Sequence, residues 1–147
     1  MVIRATSSVS PLFDNLDFNP GIIFCDLSVP PNMARDLHLK RSDILAYEGG
    51  RAKCSFFEEI KEKKWAGLFP SNSVYRCLVE SLILAFEARF ENYSLGSKSF
   101  KDEKIEEIYD LGLKHGFSFA DFRCFDYCYS EDDFQKIRKI RGEQNDV

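Results

Sequence analysis

Residues 21–27, GIIFCDL, form an apolar run reached through Asn19-Pro20-Gly21 and followed by Pro30-Pro31. A strand that is apolar on both faces is buried on both, which is the habit of parallel sheets covered by helices. The two prolines forbid its continuation as a central strand. Val2 to Thr6 is a second β-branched run, ending in Ser7, Ser8 and Ser10. The segment VSPLFDNLDFNP between the two strands has room for a turn of helix but not for a long crossover helix.

Further along, Asp43 to Tyr47, then Glu48-Gly49-Gly50, then Arg51 to Phe56 predicts strand, tight turn, strand, with Gly49 and Gly50 supplying the positive φ of a hairpin. A polar stretch leads to the helix-like run Ser71 to Glu91. Pro70 with Ser71, Asn72 and Ser73 reads as its start, because Ser and Asn side chains accept hydrogen bonds from first-turn amides. Cys77 then falls about one turn inside, where the positive end of the helix dipole favours a thiolate, the nucleophilic form. On a helical wheel Arg76, Glu80, Glu87 and Glu91 lie within about 60° of one another and read as the solvent stripe. Cys77, Ser81, Ala85 and Ala88 form a flank of small side chains where a backbone, a cofactor or an acyl chain could come close. The plainer reading makes Cys77 a buried thiol in a core helix, since cysteine is among the most buried residue types.

Asp102 to His115 predicts another helix closed by Gly116, with His115 as a capping cation at its end. The aromatic tract from Phe117 to Tyr129 leaves strand and irregular cover both open. Ser130 with Glu131, Asp132 and Asp133 starts a last helix whose end carries Lys136, Arg138, Lys139 and Arg141, a charge order matched to the dipole.

With 147 residues and 44% hydrophobic side chains, the chain is one ordinary domain or a piece of a larger one. A net charge of −4 with acids and bases interspersed gives no electrostatic footprint for nucleic acid or an anionic membrane. MVIRATSSVSP lacks a long apolar core, and the longest apolar stretch is broken by Glu80 and Ser81, so the sequence predicts neither export nor a membrane span. A cytoplasmic protein with reduced cysteines is expected, because the five cysteines are odd in number and follow no disulfide spacing. Cys124, Cys128 and His115 match no common zinc spacing, so no metal is expected.

The glycines, at 21, 49, 50, 67, 96, 112, 116 and 142, contain no G-x-G. A doubly wound sheet normally opens with such a turn before the helix whose N-terminus holds the pyrophosphate. The predicted fold class is therefore α/β: residues 1–70 as the C-terminal part of a Rossmann-like NAD(P)-binding domain, and residues 71–147 as a helical C-terminal portion packing on it.

Four ordered pieces, VIRATSS, PGIIFCDLSVPPN, ILAYEGG and VYRCLVESLILAFEARFENYSLG, followed by a helix ending in KHGF, resemble the C-terminal half of a family of Rossmann-type reductases. The family includes the long-chain acyl-(acyl carrier protein) reductases and the predicted amino acid dehydrogenases of shikimate/quinate dehydrogenase type. The resemblance runs from about Val2 to Phe117. The last piece is its most specific part: aromatic, small residue, Cys, x, x, Glu, then Leu and Phe-Glu before Asn, aromatic, Ser, x, Gly. It implies that Cys77 is an acyl acceptor, taking an acyl group from a carrier thioester so that NADPH can reduce it to an aldehyde. It also implies a cofactor cleft lined by Thr6, Ser7 and Ser8 at one strand end and by Asp26 to Ser28 at the next, since ligands bind outside the carboxyl ends of such strands. Gly49 and Gly50 are further candidates for that cleft, read first as turn residues and second as cofactor contacts. NADP or NAD would bind only with a missing N-terminal half supplied. That half, an acyl carrier protein or a second copy of the chain are the implied partners. The competing readings are a non-catalytic half-domain that oligomerises through an open sheet edge, and a fragment of an amino acid or shikimate-type dehydrogenase in which Cys77 only packs.

Overall fold

A computed structural model describes residues 1–7, 18–54, 73–96 and 101–145. In chain order the elements are β1 (Val2–Arg4), β2 (Ile23–Asp26), α1 (Leu37–Lys40), β3 (Leu45–Glu48), β4 (Arg51–Cys54), β5 (Ser73–Tyr75), α2 (Arg76–Phe86), α3 (Asp102–Lys114), β6 (Phe117–Phe119), β7 (Arg123–Cys124), β8 (Tyr127–Cys128) and α4 (Glu131–Asn145). They divide into two units, residues 1–49 with 121–147, and residues 50–120. The division falls there rather than at residue 70 because β6 returns to pair with β4, while the chain after it rejoins the first sheet's unit.

The first unit is built on a parallel sheet in the order β1-β2-β3, with Ile3 opposite Cys25 and Cys25 opposite Tyr47. The fold is mixed α/β and consistent with a partial Rossmann-like domain. Phe24, Met33, Leu37, Ile44, Ala46 and Cys124 form its core. The outer edge of β3 is partly covered: the Tyr129 hydroxyl donates to Ala46 O at 2.8 Å and accepts from Ala46 N at 3.2 Å. The Glu48 carboxylate accepts the Phe125 amide at 3.0 Å. Side chains that satisfy an edge strand's backbone in this way stop it from templating another strand. The open choice for residues 117–129 resolves mostly as strand, in β6 and the β7–β8 ladder. Ser130 does start α4, with Glu131, Asp132 and Asp133 in the first turn, but the helix runs on to Asn145, so the basic residues expected at its end fall short of its last turn. Ser130 Oγ accepts the Asp133 amide at 3.3 Å while Asp133 Oδ2 accepts the Ser130 amide at 2.8 Å, a reciprocal cap.

In the second unit an antiparallel sheet runs β5-β4-β6. Ala52, Cys54, Val74, Val79, Ile83 and Phe117 close its core beneath α2 and α3. α3 places Asp102 and Glu103 in its first turn and Lys114 in its last, matching the dipole, and Gly116 takes φ +78 just past its end, as the sequence predicts.

Two expectations are corrected. The Gly49-Gly50 hairpin does not form: β3 pairs in parallel with β2, and β4 pairs with β5 and β6 in a different sheet. Only Gly50 has positive φ, at +68. Nor does the Cys77 helix start at Ser71 to Ser73. Ser71 and Asn72 lie outside the described residues, and Ser73 to Tyr75 is strand, with Val74 opposite Ala52. Arg51 Nη1 donates to Ser73 Oγ at 3.0 Å, so that hydroxyl serves the sheet instead of capping a helix. The β-branched and aromatic pair Val74-Tyr75 fits a pleated surface better than a first helical turn.

α2 ends five residues earlier than expected, at Phe86, in a Schellman arrangement. The Arg89 amide donates to Leu84 O at 2.8 Å and the Ala88 amide to Ala85 O at 3.1 Å, with Ala88 at φ +53. The left-handed position strains an L-residue by about 1–2 kcal/mol. Ala88→Gly is therefore expected to stabilise the chain by about 0.5–1 kcal/mol after the extra unfolded-state entropy of glycine is counted. Urea unfolding checks it, and a lower midpoint would refute the assignment.

Candidate functional site

Three of the residues expected at a cofactor cleft do come together at the carboxyl ends of β1 and β2. The Thr6 amide donates to Ser28 Oγ at 3.1 Å, and the two hydroxyl oxygens lie 3.3 Å apart. Asp26, 2% exposed, accepts the Ser28 amide at 3.0 Å and the Asn32 amide at 2.6 Å, one on each carboxylate oxygen. Asn32, which sequence reading missed, completes the group by donating Nδ2 to Thr6 Oγ1 at 2.8 Å. The signal for it was faint: only the turn forced by Val29-Pro30-Pro31 hints that residue 32 comes back to the strand ends.

Asp26 is thus the anchor of the loop after β2, while Thr6 and Ser28 offer hydroxyls. Ser7 is exposed beside Thr6, and Ser8 lies outside the described residues. Gly49 closes the corner. Its amide donates to Asp26 O at 2.7 Å, and a Cβ there would sit 2.4 Å from Cys25 Sγ, so close packing explains this glycine. Gly50 and Cys77 belong to the other unit. For a dinucleotide, neutral hydroxyls at strand ends fit the rim of a cleft. They do not fit the pyrophosphate, because the sequence has no G-x-G and α1 is a four-residue helix.

In the second unit Cys77 is the second residue of α2 and exposed, contrary to the reading of a buried packing thiol. The expected solvent stripe holds only in part: Arg76 and Glu91 are exposed, Glu80 and Glu87 are half-buried against partners, and the small flank of Cys77, Ser81, Ala85 and Ala88 is itself exposed. Arg76 Nε donates to Arg51 O at 3.1 Å, Glu80 accepts from Ser94 Oγ at 2.7 Å, and Glu87 accepts from Lys114 Nζ at 2.6 Å and pairs with His115 Nε2 at 2.5 Å. Those two partners, Lys114 first, hold the Glu87 carboxyl below its ordinary range. His115 therefore closes α3 while its ring serves α2. Cys128 is the other exposed cysteine, whereas Cys25, Cys54 and Cys124 are buried. Burial pushes the Cys124 thiol up to about 11.

The Glu80–Ser94 bond joins the two most specific parts of the family-like segment, the Cys-x-x-Glu of α2 and the Asn-Tyr-Ser-x-Gly that follows. Tyr93, 4% exposed, fixes the same loop to α3: its hydroxyl donates to Glu107 Oε2 at 2.5 Å and lies 2.8 Å from Lys104 O. Beside this clasp, Val79, Ile83, Ile108, Tyr109, Phe117 and Phe119 help to line a hollow of about 320 Å³ between α2, α3 and β6. Cys77 is not on its wall.

No family model matches the chain. Over 113 residues, 77% of the chain, it is 30% identical to the aminotransferase PigE of Serratia sp. (strain ATCC 39006), and the match covers 13% of that protein. The chain thus spans a small part of the relative's length. Among the described residues no helix is long and apolar enough to cross a membrane, and no three metal-ligating side chains converge.

Proposed function

We propose that the chain is part of an NAD(P)-dependent reductase of acyl thioesters, with Cys77 as the acyl acceptor and the Thr6–Ser28 hydroxyl pair at the rim of the cofactor cleft. The observation that carries this reading is the exposure of Cys77 in the first turn of α2, beside a flank of small side chains that leaves a carbonyl carbon room to approach. In the acyl transfer, Cys77 Sγ attacks the thioester carbonyl, and the carrier thiol leaves with the proton that the cysteine gives up. Thioester exchanges for thioester at little free-energy cost. NAD(P)H, where bound, supplies the hydride that turns the acyl group into an aldehyde. Its pyrophosphate would be held by residues other than these. The aminotransferase activity in the relative's name does not come to this chain through a match to 13% of that protein.

Exposure sets the expected labelling pattern. Iodoacetamide should modify Cys77 and Cys128 at least about 100-fold faster than Cys25, Cys54 and Cys124, since access as well as thiolate fraction limits the rate. Incubation with an acyl carrier protein or coenzyme A thioester should then leave an acyl group on Cys77 alone, lost in Cys77→Ser and kept in Cys128→Ser. Peptide mass spectrometry reads both. Equal acylation of Cys77 and Cys128, or none, would argue for the non-catalytic reading.

A further inference from the structure

The hollow of the second unit has the size at which small-molecule sites begin, about 300 Å³. Its interior is aliphatic and aromatic, and three large side chains on its lining, Ile105, Tyr109 and Phe119, stand 53%, 45% and 58% exposed. A contiguous apolar exposure of this kind beside a concavity marks a place where something is bound. Its wall has a defined chemistry. The Tyr109 and Phe119 rings stack 5.5 Å apart at 25°, and the Arg76 guanidinium lies 4.6 Å over the Phe119 ring. Arg76 uses Nε for Arg51 O, and among the described residues its two Nη groups have no hydrogen-bond acceptor.

We propose that this hollow binds a planar aromatic monocarboxylate, its ring against the Tyr109–Phe119 stack and its carboxylate on the Nη edge of Arg76. The guanidinium presents a planar fork that matches a carboxylate. The paired rings favour a flat ligand over a flexible alkyl chain, because offset stacking adds to the apolar burial. Glu80, also on the lining and bonded to Ser94, repels a second negative charge and so selects for a single one. The site does not include Cys77 and stands apart from the acyl-acceptor reading.

The test is a titration of the full chain, by calorimetry and by isoleucine-methyl NMR, with naphthoate, its neutral counterpart naphthol, and decanoate. Naphthoate should shift the Ile83 and Ile108 methyls and bind about tenfold more tightly than naphthol, with decanoate weaker than naphthoate. Arg76→Met should bring naphthoate down to the affinity of naphthol and leave naphthol unchanged, which also reports that the hollow remains folded. If that variant unfolds, Arg76→Lys, which keeps the charge but not the fork, should lose most of the preference. Ile105→Trp, closing the rim, should weaken both aromatic ligands. Equal binding of naphthoate and naphthol, tighter binding of decanoate, or full naphthoate affinity in the Arg76 variants would overturn the proposal.

Discussion

Replacing Asp26 with alanine is expected to cost about 3–6 kcal/mol, the sum of two carboxylate-accepted hydrogen bonds at about 1.5–3 kcal/mol each. Both donors are backbone amides, of Ser28 and Asn32, in residues only 4% and 1% exposed, so water cannot readily replace the lost acceptor. In a chain of this size the thermal midpoint should fall by about 8–15 °C. Asp26→Asn should fall between wild type and alanine. Its carboxamide keeps one acceptor oxygen but turns an NH2 toward the other amide. Hydrogen exchange sharpens the test, since the Ser28 and Asn32 amides should lose protection in both variants while those of α3 keep it. A loss below about 1 kcal/mol for the alanine variant would mean that the loop after β2 is held by something else.

That expectation rests on a part of the molecule that the sequence made legible. A run apolar on both faces ending in an acid told where β2 ends, and the rule that sites form outside the carboxyl ends of parallel strands brought Thr6, Asp26 and Ser28 to one place. What the sequence could not show was the division of labour within that place: Asp26 turned out to hold the loop, with Asn32 as an unforeseen fourth member. Gly49-Gly50 misled because a turn signal is local and strand pairing is not. β3 gains more by lying beside β2, with both faces covered, than by folding back on β4. The charge stripe of α2 misled for a related reason. Glu80 and Glu87 look like solvent-facing residues until α3 and the loop at 89–96 supply Ser94, Lys114 and His115 as partners, and nothing in the local periodicity announces those, whereas Arg76 and Glu91 of the same stripe do stay exposed. The small residues on the other face of the helix were then free to face outward, which is why Cys77 is exposed.

Tyr93→Ala is the other substitution expected to have a large effect, about 3–5 kcal/mol for removing a buried aromatic ring. The ring carries Lys104 Nζ 4.5 Å from its centre and the Arg89 guanidinium at 5.1 Å, and Arg89 continues to Glu107 at 2.7 Å. Burial first, and the bond to Glu107 second, raise the Tyr93 phenol to about 12, so it remains a hydrogen-bond donor throughout the neutral range. Tyr93→Phe keeps the ring and loses the donor, for an expected cost of about 1–2 kcal/mol. The difference should depend on pH in one direction. The Tyr93 hydroxyl, then Arg89, depress the Glu107 carboxyl in the folded chain, so the contribution of the clasp is complete above the ordinary carboxylate value of 4.5 and is lost as pH falls through the depressed one. The gap between wild type and Tyr93→Phe in urea unfolding should accordingly narrow on going from pH 7 to pH 3. A gap that stays constant would show that Glu107 is not the partner that matters. The clasp also bears on the proposed acyl acceptor, because Ser94, the residue after Tyr93, holds Glu80 one helical turn from Cys77. If the loop serves to fix that turn of α2, Tyr93→Phe should leave alkylation of the exposed Cys128 unchanged and alter the rate at Cys77. Identical rates at both cysteines would confine the clasp to stability.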